Sequence, residues 1–433
     1  MGHVVLGAPP VARYHLHERL LRVLRHRGHR VSVLATAPAT RTFWARQGEA
    51  VVRLGAAPPS PPTTWPLGDL APGRRQRFAG LAAALEAWFA QEQPDLLLLD
   101  QDRGDASRLL QFVARRHGCR VLWLGDGLLP HTLQVDERGI DGDAALAGRA
   151  PRALRAVARN DELLAASLAH ALAQVTPFAL PRAPVRPPTS GQRVADALAT
   201  WRNAGALAAL RSLSVWREAL PQSPAPQAAW RPPTTPYLAV LLQDAADPRL
   251  VHDAPDAPSA AQLLRAAAAA SRELGCDGRL AVVAPATWRR QRLAGHDLLP
   301  AAAAPAVAAT ALAAVTVNHP AAAIALLAGT PVACLGRAAY GVRGVAHLTS
   351  LADLTTTLRT ALRRDRPALR ARALSWLFGY GHVWCSPTHP DHNGVLGLAQ
   401  AIETRLGARV DANALRHRRG PSWPLAQQPR RQT

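Results

Sequence analysis

Four short segments of this chain carry residues whose types and spacing suit chemistry on a sugar or a phosphate. The first runs from Gly125 to Gly139 (GDGLLPHTLQVDERG). Two glycines there permit a tight backbone path, and a carboxylate at a strand end, Asp126, can take the proton of an attacking hydroxyl. An ordinary Gly/Asp turn is the competing reading. The second is Gln243-Asp244-Ala245-Ala246-Asp247-Pro248. Asp247 suits a nucleophile toward an anomeric carbon, or a base, with Gln243 holding a sugar hydroxyl or carboxylate through its amide. A polar, Asp-rich loop fits equally well. The third is Thr316-Val317-Asn318-His319-Pro320. Asn318 is a capping residue type and Pro320 suits an early helical position. The N–H groups of that helix start favour phosphate, with His319 as an added donor. A plain strand-to-helix turn with an exposed His is the alternative. The fourth, Leu335 to Gly341, offers Arg337 for a carboxylate or phosphate and Tyr340 for stacking or hydrogen bonding, against the reading of a loop Arg.

A fifth group, His382, Cys385, His389, Asp391 and His392, has the spacing H-x2-C-x3-H-x-D-H. It lacks the second half of a standard zinc site, so a polar loop is the preferred reading and no metal is assigned.

These segments need strands and helices to position them. His3 to Leu6, Val31 to Ala35, Val51 to Leu54, Asp95 to Asp100 and Arg120 to Leu124 read as strands. Arg13 to Arg27, Arg74 to Gln91, Ala106 to Arg116 and Ala153 to Gln174 read as helices, with Gly28 placed as a helix C-terminal glycine. Asp95 to Asp100 (DLLLLD) is apolar without alternation, as a buried parallel strand is. Beyond Pro236 the alternation restarts. Strands are expected at Tyr237 to Gln243, Leu280 to Val283, Ala314 to Val317 and Pro331 to Leu335. Helices are expected at Ala260 to Leu274, Ala321 to Leu327 and Leu351 to Arg363.

The expected fold class is therefore α/β, with two Rossmann-like domains facing a cleft, the plan of GT-B glycosyltransferases. The expected division is an acceptor-side domain over 1–176, a Pro-rich linker with a helical segment (194–213) over 177–236, a nucleotide-sugar domain over 237–365, a C-terminal helical segment over 366–415 and a disordered basic tail over 416–433.

Composition sets the outer limits. The chain has 433 residues, 48% of them hydrophobic and 5% aromatic, enough for a core built from Ala, Leu and Val. All 51 of its Lys+Arg are Arg, and the formal net charge is +21. A GC-rich coding sequence accounts for Arg in place of Lys but not for the excess positive charge, which suits anionic partners. No nucleic-acid-binding motif is present and few aromatics interleave with Arg, so nucleic acid is not an expected partner. An anionic inner-membrane surface and a lipid-linked acceptor fit better. Cys119, Cys276, Cys334 and Cys385 are widely spaced with no CxxC, which argues for a reducing compartment. No signal peptide and no spanning stretch is visible. The expected location is cytoplasmic, with the basic surface allowing peripheral attachment to the inner membrane.

Taken together, the segments resemble the bacterial capsule polysaccharide synthesis family, which includes β-Kdo transferases using CMP-Kdo. GDGLLPHTLQVDERGIDG is similar to that family's acidic-Gly segment, LLQDAAD to its Q-x3-D motif, and TVNHPAAAIALLAGTPVACLGRAAY to its long signature; the likeness spans roughly residues 95–365. The resemblance implies Asp247 as the carboxylate nucleophile of a retaining double displacement, Gln243 positioning the sugar and Asp126 near the acceptor. It implies Asn318 and the following helix start, His319 included, meeting the CMP moiety, with Arg337 and Tyr340 nearby. The CMP-sugar enters as donor substrate and no cofactor is implied. The implied partners are a nucleotide-sugar, a lipid-linked or glycan acceptor and a polysaccharide assembly or export complex.

The chain departs from the family where a Lys-x-His-Pro element reads Ala284-Pro285-Ala286-Thr287. It also departs where the signature's Ser-Thr pair reads His319-Pro320, its Gly reads Ala322 and its Glu reads Ile324. Loss of phosphate donors costs several kcal/mol of transition-state stabilisation. Two further readings follow: a non-catalytic member acting as a partner in polysaccharide assembly, and a GT-B enzyme using a UDP- or GDP-sugar. In an active enzyme, His319 and Arg289, Arg290 or Arg292 would replace the missing donors.

Overall fold

The computed structural model describes residues 1–9, 13–35, 41, 44–45, 47–49, 51–52, 72–100, 105–173, 230–244, 247–254, 256–285, 293 and 296–407. The Pro58–Pro66 loop, the linker from Pro177 to Ala229 with its helical segment, the tail 416–433, and Ala286, Arg289, Arg290 and Arg292 lie outside the described residues. The chain divides into two compact units. One comprises Met1–Ile140, Thr176–Ala229 and Trp384–Gly407; the other comprises Asp141–Val175, Trp230–Val383 and Ala408–Thr433. Each is Rossmann-like, which gives the α/β class expected from the segment order.

In the first unit, β1 (His3–Gly7), α1 (Tyr14–His26) and β2 (Arg30–Leu34) are followed by α2 (Pro72–Glu92), β3 (Leu96–Leu99), α3 (Asp105–Arg116), β4 (Arg120–Asp126) and β5 (Leu133–Asp136). The strand order is β5-β4-β3-β1-β2, with β5 antiparallel to β4 and the others parallel. All four residues of β3 are buried, because helices cover both faces of a central parallel strand. The Leu16, Leu20, Leu21 and Leu24 stripe of α1 is buried, and Gly28 ends that helix at φ 83. Val5, Leu85, Phe89, Leu97, Leu110 and Val113 centre the core.

The second unit holds a 3-10 turn (Asp141–Asp143) and α4 (Asp161–Ala173) before its sheet. There follow β6 (Leu238–Leu241), α5 (Pro248–Asp253), α6 (Ala260–Glu273), β7 (Leu280–Ala284), β8 (Leu298–Pro300), α7 (Ala304–Thr310), β9 (Ala313–Thr316), α8 (Ala322–Ala328), β10 (Val332–Cys334), β11 (His347–Leu348), α9 (Leu354–Arg363) and α10 (Pro367–Gly379). Its sheet is wholly parallel, ordered β11-β10-β9-β6-β7-β8. Ser259 and Gln262 form a reciprocal capping box that fixes the start of α6. The last described helix, α11 (His392–Gly407), belongs to the first unit and packs on α1.

Some expectations change. The stretch read as one helix over Ala153 to Gln174 is a 3-10 turn (Pro151–Leu154) followed by α4. Asn160 starts α4 by accepting from Leu163 N at 2.9 Å, so a cap interrupts what looked continuous. The stretch Asp141–Val175, read from sequence with the N-terminal domain, packs with the second unit through α4 on α8 and α10. At Val51 there is a single parallel bridge to Val33, and Arg53 and Leu54 lie outside the described residues.

The β4–β5 hairpin supplies a direct test of packing. A Cβ on Gly127 would sit 1.9 Å from Thr132 Oγ1 and 2.7 Å from its carbonyl oxygen, while Gly127 N donates to that same oxygen at 2.9 Å. The hairpin must open to admit a methyl group. Gly127→Ala is expected to lower stability by about 1–3 kcal/mol, read as a lower urea midpoint; an unchanged midpoint contradicts the packing.

Candidate functional site

In the second unit, β6 and β9 are neighbours whose following connections lead to opposite edges of the sheet, so their carboxyl ends form a switch point. Gln243 leaves the end of β6 and is buried. Its Oε1 accepts from Asn318 N at 3.2 Å, and its Nε2 donates to Asp247 Oδ2 at 3.1 Å. The structure thus gathers three of the sequence-predicted residues around one amide.

Asp247 is the N-cap of α5, its Oδ1 accepting from Arg249 N at 2.8 Å. Both carboxylate oxygens are therefore engaged within the protein. Arg249 Nε donates to Asp141 Oδ1 at 2.9 Å, and both side chains are largely buried. Gly142 N donates to Asp253 Oδ2 at 3.3 Å and Arg337 N to Asp253 O at 3.0 Å, which ties the 3-10 turn to α5 and to the loop after β10. Arg337 donates through Nη2 to Gly142 O at 2.9 Å and to the Asp143 carboxylate, with about half of its side chain exposed.

The expectation that Asn318 caps the next helix is overturned. α8 begins at Ala322, without a side-chain cap. Asn318 instead donates through Nδ2 to Arg249 O at 2.9 Å and Arg337 O at 3.2 Å, bridging two loops. Its Oδ1 is buried with no hydrogen-bond partner among the described residues. The turn before α8 is secured by Thr316 Oγ1, which accepts from His319 N, and by His319 Nδ1, which accepts from Ala321 N, both at 3.0 Å.

Burial, with Arg249 nearby, pushes the His319 imidazole down to about 4 against a smaller opposing effect of Asp247. His319 is thus neutral at pH 7, with Nδ1 as acceptor and the proton on Nε2. It can donate a hydrogen bond to an anion but brings no charge. Tyr340 is fully buried and donates to His319 O at 2.8 Å. Burial also raises its hydroxyl pKa well above the ordinary value, so it braces the His319 backbone rather than facing a ligand. Ala284 ends β7 as a small buried side chain.

Asp126 lies in the first unit, in a cluster that sequence reasoning missed. Arg13, just before α1, donates to the Asp100 carboxylate and, at 2.7 Å, to Asp126 Oδ1. His17 Nε2 meets the other Asp100 oxygen at 2.7 Å. Asp100 and His17 are wholly buried, whereas the Asp126 side chain is 46% exposed. β1 and β3 are the neighbours at this sheet's switch point, and Asp100 directly follows β3. The one legible signal was the acidic residue closing DLLLLD. Elsewhere in the hairpin the turn reading holds: Asp136 Oδ1 accepts from Arg138 N at 2.8 Å and Gly139 N at 3.3 Å.

The spaced His/Cys group has local roles. His382 is buried and donates from Nδ1 to Leu377 O at 2.9 Å. Burial pushes the Cys385 thiol up to about 12. His389 Nδ1 meets Thr388 Oγ1 at 2.9 Å, and Asp391 Oδ1 accepts from Gly394 N at 2.6 Å. Among the described residues no helix is long and apolar enough to cross a membrane.

No protein-family model matches the chain, and no curated protein is significantly similar to it. Solved structures similar to it include the KpsC β-Kdo 2,4-transferase of Thermosulfurimonas dismutans, at 14% identity and a TM-score of 0.43, covering 92% of this chain and 98% of that one. The calicheamicin glycosyltransferase CalG4 gives 14% identity and a TM-score of 0.35, covering 95% of this chain and 100% of that one. The glycotransferase of kitacinnamycin gives 14% and 0.35, covering 93% and 99%. Likenesses of this degree assign no residue and no substrate; the two-unit α/β class rests on the strand orders above.

Proposed function

We propose that this chain is a glycosyltransferase of capsular or surface polysaccharide synthesis that takes a nucleotide-sugar donor in its second unit. The observation that carries the reading is Gln243, which joins Asp247 and Asn318 at the switch point of that sheet, where α/β folds bind ligands. Arg337 offers a half-exposed cation there, and neutral His319 an N–H. The orphaned Asn318 Oδ1 offers an acceptor. With the resemblance to the β-Kdo transferases, these favour a CMP-sugar such as CMP-Kdo and a lipid-linked or glycan acceptor. Asp247 would attack the anomeric carbon as the bond to the CMP phosphate breaks. The acceptor hydroxyl would then displace Asp247 from the anomeric carbon and lose its proton to solvent. No cofactor enters this scheme.

Asp247→Asn is the informative variant. Asn caps a helix as well as Asp does, so the fold is retained while the nucleophile is lost. The expected result is CMP binding by calorimetry in both proteins, with transfer from CMP-Kdo reduced by about 10³-fold or more in the variant. Transfer unchanged in Asp247→Asn overturns its assignment. Preference for UDP or GDP in a competition series moves the donor to that class.

A second reading, a non-catalytic partner in polysaccharide assembly or export, is favoured by Ala284, which puts no phosphate-binding cation at the end of β7 among the described residues. Absence of binding to any of the three nucleotides would select it.

A further inference from the structure

The face shared by α1 and α11 bears a cationic cavity that the transfer scheme does not use. It has a volume of about 590 Å³. Its rim is formed by Arg19, Arg22, His26, Arg27 and His392. Its floor is apolar: Val23 from α1, with Val395 and Leu396 from α11. Arg19, Arg22, Val23, His26 and Arg27 follow i, i+3, i+4, i+7 and i+8, so they form one stripe of a helix. A stripe at that spacing facing another helix is ordinarily apolar; here guanidinium and imidazole groups line a space left between the two.

The surrounding charges leave the rim positive. Carboxylates stand beside it, but none lines it. Glu18 pairs with Arg22, Glu403 with Arg27 at 2.6 Å, and Asp391 accepts from Gly394 N. Arg19 donates to a neutral group, Pro390 O. From Arg13 to Arg30 the chain carries six Arg and four His against the single acid Glu18. The Arg22 side chain is 73% exposed. Cations around a small apolar floor suit a surface that presents phosphate oxygens above hydrocarbon.

We propose that this face docks the first unit on an anionic phospholipid bilayer, with headgroup phosphates held at the arginine rim of the cavity. The inference stands apart from the transfer chemistry, since it concerns neither switch point.

The experiment is flotation of the full chain with phosphatidylcholine vesicles, with and without phosphatidylglycerol. Binding is expected only with phosphatidylglycerol, and is expected to disappear near roughly 0.5 M salt. Arg19→Gln with Arg22→Gln should weaken it by about tenfold or more. Arg363→Gln with Arg364→Gln removes the same net charge from exposed positions on the second unit, and should weaken it far less. Arg22→Gln alone, with its largely exposed side chain, keeps the test readable if the pair perturbs folding. Equal losses in the two double variants would reduce the effect to overall charge and overturn the site. So would failure to float with phosphatidylglycerol, displacement by millimolar glycerol phosphate, or tighter binding to single-stranded RNA through the same residues.

Discussion

Asp100→Ala is expected to destabilise the first unit by about 3–5 kcal/mol. Asp100 is 1% exposed and carries two partners at once, Arg13 on one oxygen and His17 on the other. Removing it takes a buried carboxylate away from a guanidinium and an imidazole and leaves a void in the core. The Arg13 contact with Asp126, which is 46% exposed and therefore partly shielded by solvent, offsets little of the loss. Two comparisons identify the cause. Asp126→Ala should cost about 1 kcal/mol or less, because an exposed pair contributes little. Arg13→Met combined with Asp100→Leu should be more stable than Asp100→Ala alone, since it removes the buried cation together with the carboxylate and fills the space. Urea unfolding of the three variants provides the readout. If Asp100→Ala matched Asp126→Ala, the buried cluster would not have the energetic role assigned to it.

That cluster marks the limit of sequence reading. DLLLLD reads as a buried strand because four consecutive apolar residues leave no polar face, and β3 occupies that position. The turn after β4 and the position of Asp126 at that strand's end were legible in the same way. What a sequence does not display is the pairing of Arg13 with residues 87 and 113 positions away, or of His17 with one 83 away. Hydrogen bonds between strand ends depend on strand order, and β1 lies beside β3 only after two crossovers.

The second unit repeats the lesson with a different outcome. Gln243, Asp247 and Asn318 each follow a strand in the sequence, and parallel neighbours β6 and β9 bring those ends together. Asn318 was given a cap on the strength of its residue type and the Pro two residues later. The helix starts further along, because His319 and Thr316 satisfy the N–H groups of the turn first. Residue type named a capping-competent side chain; the competition among three such side chains was settled by geometry. Asp141 and Arg249 escaped notice for the same reason as Arg13, their contact spanning 108 positions.

The second unit should lose stability as pH falls below about 6.5, through His382 and His319. Both imidazoles are pushed down to about 4, His382 chiefly by burial, against a smaller opposing effect of its bond to Leu377 O. Between these values the unfolded chain binds a proton that the folded chain refuses, so stability rises with pH across the window and is fully present above it. A shift of that size at the almost wholly buried His382 corresponds to about 3 kcal/mol lost between pH 6.5 and 4. His382→Gln retains an N–H donor for Leu377 O but does not titrate. Urea unfolding across this range should therefore show a shallower acid slope in His382→Gln than in the parent. Some slope should persist from His319, and from His347, which burial also shifts downward. Amides of α10, whose Leu377 and Phe378 meet His382, are the local reporters: their exchange should accelerate in acid in the parent and much less in the variant. Parallel acid slopes in the two proteins would mean that His382 already accepts its proton in the folded state, and that the burial between Leu377 O and the Phe378 ring does not exclude charge as argued.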